Sequence, residues 1–219
     1  MIRKIQWFAM AVTAVLCAAC DAHIDVPDTA VRPGHILCED GTALSYVQYE
    51  QSGKRAIAVV FDTEHREGTE GNGYAVYLWD IAPAAFADSL GVEQGTSADM
   101  TAYDGNANTF ALYNTQETAS PMAEAVFDLW YYGQSAYVPS VAQMRLLYAA
   151  RDVVGPIIGR CGGDPLPTAD GEECWYWTST EVEGQQTAKA WLYSMSSGAM
   201  QETPKIQAHR VRPIITINH

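Results

Sequence analysis

Basic residues are scarce in this chain: 13 lysines and arginines face 26 aspartates and glutamates over 219 residues, a formal charge of −13. No local cluster of Lys or Arg offsets that balance, so a phosphate backbone meets repulsion and nucleic acid is excluded as a partner class. The patterns HExxH and GxSxG, the P-loop and any Ser-His-Asp order are absent. Of the five histidines, His23, His65 and His219 fall in tether, loop and terminus, leaving His35 and His209 for an ordered surface. Cys38, Cys161 and Cys174 lack the short paired spacings of a zinc site. The residues therefore read as a non-enzyme with no metal and no cofactor. Internal repeats and low-complexity tracts are also missing.

What is present begins with Arg3 and Lys4, an apolar run from Trp7 to Ala19, and then Cys20. That order is a secretory signal, too short to span a bilayer comfortably. The run LCAAC, Leu16 to Cys20, resembles the bacterial lipobox, although Leu16 sits one place early and Cys17 takes its position. Acylation of Cys20 would anchor the protein through buried CH₂ groups at about 0.8 kcal/mol each. Ordinary cleavage near Ala19 or Ala22 is the alternative. The expected organisation is a signal peptide over 1–19, a tether over 20–33 rich in Asp and Pro, and one domain over 34–219. The location is the cell envelope, as an outer-membrane lipoprotein whose membrane contact is the N-terminal lipid. With 48% hydrophobic and 18% charged residues, the domain is of globular composition.

Within the domain, the run from Ala56 to Phe61 is continuous, apolar and partly β-branched, which predicts a buried strand. Tyr74 to Ile81 predicts another, after a charged, Gly-rich loop over 64–73. The stretch 83–118 is the least legible. Asp104, Asn106 and Asn108 have the alternate spacing of a calcium loop, but Thr109 and Thr115 stand where that loop needs Gly and Glu, so a hydrogen-bonded turn is the plainer reading. Ser120 and Pro121 open a helix with Glu124 in its first turn. Met122, Val126, Leu129 and Trp130 follow at helical spacing toward Gly133. A second helix starts at Ser140 and should stop before Gly155 and Pro156. In an oxidising compartment Cys161 and Cys174 are the natural disulfide, worth on the order of 3 kcal/mol, and Cys38 is a buried strand thiol.

The region 175–214 carries the clearest pattern. In AWLYSM, Trp191, Tyr193 and Met195 share one face and Leu192 and Ser194 the other, because strand side chains alternate. Ser196, Ser197 and Gly198 supply a turn. Met200, Ile206 and Val211 anchor the returning segment, while Gln201, Glu202, Lys205, Gln207 and His209 reach solvent. Arg210 and Arg212 flank Val211 and read as structural ion-pair partners of Glu181 or Asp152. Trp79, Trp130, Trp175, Trp177 and Trp191 read as core.

The series DGT at 40–42, AIAVVF at 56–61, DGNANT at 104–109, YVPSVAQMRLLY at 137–148, YWTSTE at 176–181, SSG at 196–198 and VRPI at 211–214 resembles a bacterial C-type lectin-like family. This family is related to the Lcl C-terminal domain and to the variable proteins of diversity-generating retroelements. The resemblance implies an α+β, C-type lectin-like fold: two helices packed on antiparallel strands, with long irregular loops. It implies scaffold roles for Trp191, Tyr193, Met195 and Met200. The display set would be Leu192, Ser194, Gln201, Glu202, Lys205, Gln207 and His209. The Glu-Pro-Asn or Gln-Pro-Asp tripeptides of calcium-dependent sugar binding are absent. The expected function is a ligand-binding, adhesin-like lipoprotein whose partner is a protein or a glycan. A structural subunit of a surface or pilus-tip assembly is the alternative, and a sulfatase-modifying-type enzyme the more distant one.

Overall fold

The computed structural model describes residues 30–218 apart from 65, 67–70 and 132, and for Tyr131 its backbone alone. The expected signal segment 1–19, the acylated Cys20 and residues 20–29 of the tether lie outside the described residues. A compact unit begins at Val31. In chain order, β1 (Ile36–Cys38) and β2 (Ala43–Leu44) lead into α1 (Tyr46–Ser52), then β3 (Ala56–Asp62), β4 (Gly73–Tyr77) and β5 (Ile81–Ala85). Helices α2 (Gly105–Asn114) and α3 (Pro121–Phe127) follow, then a hairpin of β6 (Trp130–Tyr131) and β7 (Gln134–Ser135), and the long α4 (Val141–Arg160). The remainder is β8 (Trp175–Glu181), β9 (Lys189–Ser194), β10 (Met200–Pro204), β11 (Ala208–Val211) and β12 (Ile214–Ile217).

Two five-stranded sheets result, in the orders β12-β4-β3-β1-β2 and β10-β9-β8-β11-β5. The first is antiparallel throughout, and the second has one parallel pair, β8 with β11. The architecture is α+β, with four helices among the described residues instead of the expected two. Strand β3 is buried at every position, as its continuous apolar run predicts. Ala58 and Val60 pack into a cluster with Leu112 of α2 and Met122 of α3, while Val59 and Phe61 join Met144 and Leu147 of α4. Each face of this strand therefore removes apolar surface from water, at about 25 cal/mol per Å².

The helix starts follow their caps. Ser120 accepts from Ala123 N, Pro121 holds the first turn, and Ser140 and Gln143 form a reciprocal capping box. The helix ends differ from expectation. Helix α3 stops at Phe127, and Trp130 turns into the hairpin opposite Ser135, where it is 59% exposed and not core. Helix α4 passes through Gly155 and Pro156 to Arg160. Proline removes one intrahelical bond, and Val154 and Ile158, both fully buried around it, keep the helix docked.

The run expected as one strand over 74–81 breaks after Tyr77 because Arg212 enters there. Its side chain has no exposed surface, pairs with Asp80, and donates to the carbonyls of Tyr77 at 3.1 Å, Leu78 at 3.2 Å and Asp164 at 2.9 Å. Asp80 also accepts from Arg210 Nη1 at 3.0 Å and Tyr176 Oη at 3.1 Å. Burial first, and Asp80 second, push the Tyr176 phenol up to about 12. Asp80 is thus the partner of both arginines; Glu181 and Asp152, expected in that role, pair with Lys205 and Arg151. Trp79, in the break itself, is 45% exposed and also leaves the core set.

Replacing Arg212 by Ala leaves Asp80 with Arg210 and Tyr176 alone and takes a donor from each of three carbonyls, and should cost about 3–5 kcal/mol in urea unfolding. Arg212→Lys keeps the charge without the planar fork and should recover only part of that loss. A loss below about 1 kcal/mol for the alanine variant would show that the cluster is not structural.

Candidate functional site

The second sheet carries a cleft of about 480 Å³. Its walls come from Pro83 on β5, Glu172 and Glu173 in the short turn before β8, Trp175 on β8, Gln201 on β10, and Ala208, His209 and Arg210 on β11. Leu192 of β9 lies opposite both Trp177 and Gln201 in the sheet register, which puts it on the floor. His209 stands edge-on to the Trp177 ring at 5.3 Å, and the indole Nε1 donates to the Ala84 carbonyl at 3.0 Å. Burial lowers the His209 pKa below its ordinary value, with Glu172 pulling the other way. At neutral pH the imidazole is therefore uncharged, with one donor and one acceptor nitrogen. Arg210 is held by Asp80 and reaches Glu173 at 3.7 Å. An apolar floor under walls of amide, imidazole, guanidinium and carboxylate suits a polar ligand with some apolar surface.

The expected display residues divide. Gln201, His209 and the floor residue Leu192 meet in the cleft. Glu202 is exposed but lies opposite Trp191, so it belongs to the other face, where it accepts from Lys189 Nζ at 3.1 Å and Gln185 Nε2 at 3.2 Å. Gln207 is exposed in the turn before β11, with its Oε1 3.4 Å from His209 Nε2.

Leu192, Ser194 and Lys205 are not displayed; at most 1% of each is exposed. The alternation along β9 is as read, but β9 lies between β8 and β10 and both of its faces are packed. Leu192 joins Trp177 in one cluster, and Tyr193 and Met195 join Tyr176 in the other. The Ser194 hydroxyl lies 2.9 Å from Ser196 Oγ, 3.0 Å from Ser197 Oγ and 3.3 Å from Cys174 Sγ. Lys205 forms a buried ion pair with Glu181, donates to Gln94 Oε1 at 3.2 Å, and stands 5.0 Å from the Phe86 ring centre. Desolvation pushes the Glu181 carboxyl up and the Lys205 ammonium down, and their mutual contact opposes both shifts.

Other expectations are corrected as well. Cys161 and Cys174 form no disulfide: both are free thiols, as is Cys38. Cys161 ends α4 and packs on the cluster that holds Cys38, whereas Cys174 donates to the Gly171 carbonyl at 2.9 Å beside Ser194. DGNANT opens helix α2 where a hydrogen-bonded turn was the expectation. Asn108 Nδ2 donates to Asp104 Oδ1 at 2.9 Å and Asn108 Oδ1 accepts from Ser97 N at 2.9 Å. Gly105 is needed there because a Cβ would lie 2.7 Å from the Val138 carbonyl oxygen. Among the described residues, no three His, Cys, Asp or Glu side chains gather as a metal site, and no helix is long and apolar enough to cross a membrane.

Sequence reading missed Trp175, Pro83, Ala208 and the acidic pair Glu172 and Glu173 as cleft residues. Trp175 was assigned to the core, and it is half-buried. Its sheet partner is the buried Ser194, so no local period marks it out. Neither protein-family models nor curated proteins give a match to the chain.

Since Lys205 is core and not display, its replacement should act on stability. Lys205→Met or Glu181→Met alone should each cost about 3–5 kcal/mol by leaving one buried charge unpaired. The double Met variant should unfold at a higher urea concentration than either single one. Equal midpoints for all three would contradict the pairing.

Proposed function

We propose that the protein is an envelope lipoprotein that binds a protein or glycan partner in the cleft of its second sheet, on a C-type lectin-like scaffold. The observation that carries this reading is the convergence of Gln201 and His209, both expected to face ligand, with Trp175 and Arg210 in one depression over the buried Leu192. The groups around it are held by the fold: His209 by Trp177, Arg210 by Asp80. Little side-chain entropy is then lost on binding, which favours recognition. An uncharged imidazole and an amide offer paired donors and acceptors, the chemistry that hydroxyl and peptide groups match. Glu172 and Glu173 at the rim disfavour anionic ligands and leave neutral or basic ones. The Lcl-like resemblance and the lipobox-like LCAAC run supply the envelope location in this reading.

The test uses a glycan array and pull-down with the full chain, followed by Ala208→Arg. Ala208 is exposed and lines the cleft, so the longer side chain fills the site without touching the core. Affinity for the captured partner should fall by at least about tenfold, the equivalent of ~1.4 kcal/mol, while the unfolding midpoint stays. An unchanged affinity would move the binding face elsewhere.

A further inference from the structure

A second depression lies away from the cleft, where the start of α2 meets the β6–β7 hairpin. Its outer part, about 430 Å³, is walled by Phe110, Phe127, Trp130 and Tyr137. Phe110 and Trp130 are each 59% exposed, large aromatic faces left in water. Phe127 is fixed by Tyr113, whose ring stacks on it at 4.2 Å. The outer part runs into an inner recess of about 100 Å³ at Tyr74, Tyr103, Asp104 and Gln143, with Asn106 and Tyr137 common to both.

The recess contains an unmet polar group. Tyr74 is only 2% exposed and its hydroxyl makes no hydrogen bond. Gln143 beside it reaches the hydroxyl only weakly, short of hydrogen-bond geometry: its Oε1 accepts from Ser140 N at 2.9 Å and its Nε2 donates toward Tyr137 Oη at 3.4 Å. The Tyr137 hydroxyl in turn pairs with Thr216 Oγ1 at 2.8 Å. A buried hydroxyl left alone costs about 1–3 kcal/mol, so such a group calls for an explanation. A second one, Ser135 Oγ, is likewise buried and unpartnered on the outer wall.

The electrostatics point one way. Among the described residues, no Lys, Arg or His lines either part, and Asp104 is the single charged one. Its carboxylate accepts from Asn108 and, with about four acceptor sites, retains capacity. It already occupies the anion-favouring start of α2. Arg66 stands 5.1 Å over the Tyr103 ring, but its charge is taken up by Asp62 and Glu64, each at 3.0 Å from Nη2. Burial raises the Asp104 pKa, a cost that a cation in the recess would relieve.

We propose that this groove binds a primary ammonium group carried on an unbranched aliphatic stem. The ammonium donates to the Asp104 carboxylate and to the Tyr74 oxygen, in a recess lined by Tyr103 and Tyr137. The methylenes lie along Phe110 and Trp130 in the outer part. A lysine side chain and a free aliphatic diamine share this chemistry.

Calorimetric titration of the full chain tests it with n-pentylamine, 1-pentanol, cadaverine and Nα-acetyl-lysine amide. Pentylamine should bind saturably, and pentanol at least about tenfold more weakly because it cannot supply a charged hydrogen bond. Asp104→Asn, which keeps an acceptor for Asn108, should weaken pentylamine by about tenfold. Tyr74→Phe removes only a hydroxyl with no protein partner, so it preserves the fold and should also weaken the amine while leaving pentanol unchanged. Tighter binding of acetyl-lysine amide than of cadaverine supports the proposal with protein lysine as the source, and the reverse order supports it with a free diamine. Absence of saturable amine binding, equal affinity for pentanol, or two variants that bind pentylamine like the parent chain would overturn it.

Discussion

Complete burial of the Arg212 guanidinium leaves five N–H donors that water no longer serves, and the chain is arranged to meet them. The carbonyls of Tyr77 and Leu78 belong to the passage from β4 to β5, where the backbone leaves the first sheet for the second. Arg212 itself lies between β11 and β12, where the backbone returns. Both crossings therefore meet at one cation, and Asp164 brings the loop after α4 to the same point. Asp80 balances the charge and ties in Arg210 and Tyr176. Without this match, the two crossing segments would lose an interior donor to the Tyr77 and Leu78 carbonyls, a cost buried backbone groups rarely bear.

The buried Glu181–Lys205 pair does comparable work at another place in the second sheet. Lys205 N donates to the Ala188 carbonyl and Lys205 O accepts from Ala87 N, so the turn after β10 is fixed to the start of β9 and to the segment beyond β5. The cleft takes one wall from β11, which carries Arg210, and another from β10, which ends beside this turn. Its geometry is thus set by charges that water never reaches. An isolated buried charge would be intolerable, and the pairing confines these segments to one arrangement.

Sequence patterns captured what depends on neighbours in the chain. The apolar run of β3, the Ser120 and Ser140 caps and the Ser196–Gly198 turn are local, and each is found where the residues put it. Alternation in β9 was legible too. Which side was covered was not, since burial of Leu192 depends on Trp177, Phe86 and α3, all remote in sequence. Lys205 misled for the same reason: its partners Glu181 and Gln94 lie 24 and 111 positions away. Pro156 looked like a helix stop because propensity is local, while the burial of Val154 and Ile158 that carries α4 past it is tertiary. The cleft was half legible, Gln201 and His209 through exposure and polarity, Trp175 and Ala208 not at all.

The position of Arg212 also governs how this fold is reached. Its guanidinium meets carbonyls 134 and 135 residues earlier, and β12 closes the edge of a sheet whose other strands are all made before α2. A nascent chain that has produced β1 to β4 therefore holds an incomplete sheet with an open flank until more than a hundred further residues have been synthesised. Contacts so distant along the polymer favour slow, single-step closure over piecemeal assembly, and a chain halted before β11 keeps its first sheet unsealed.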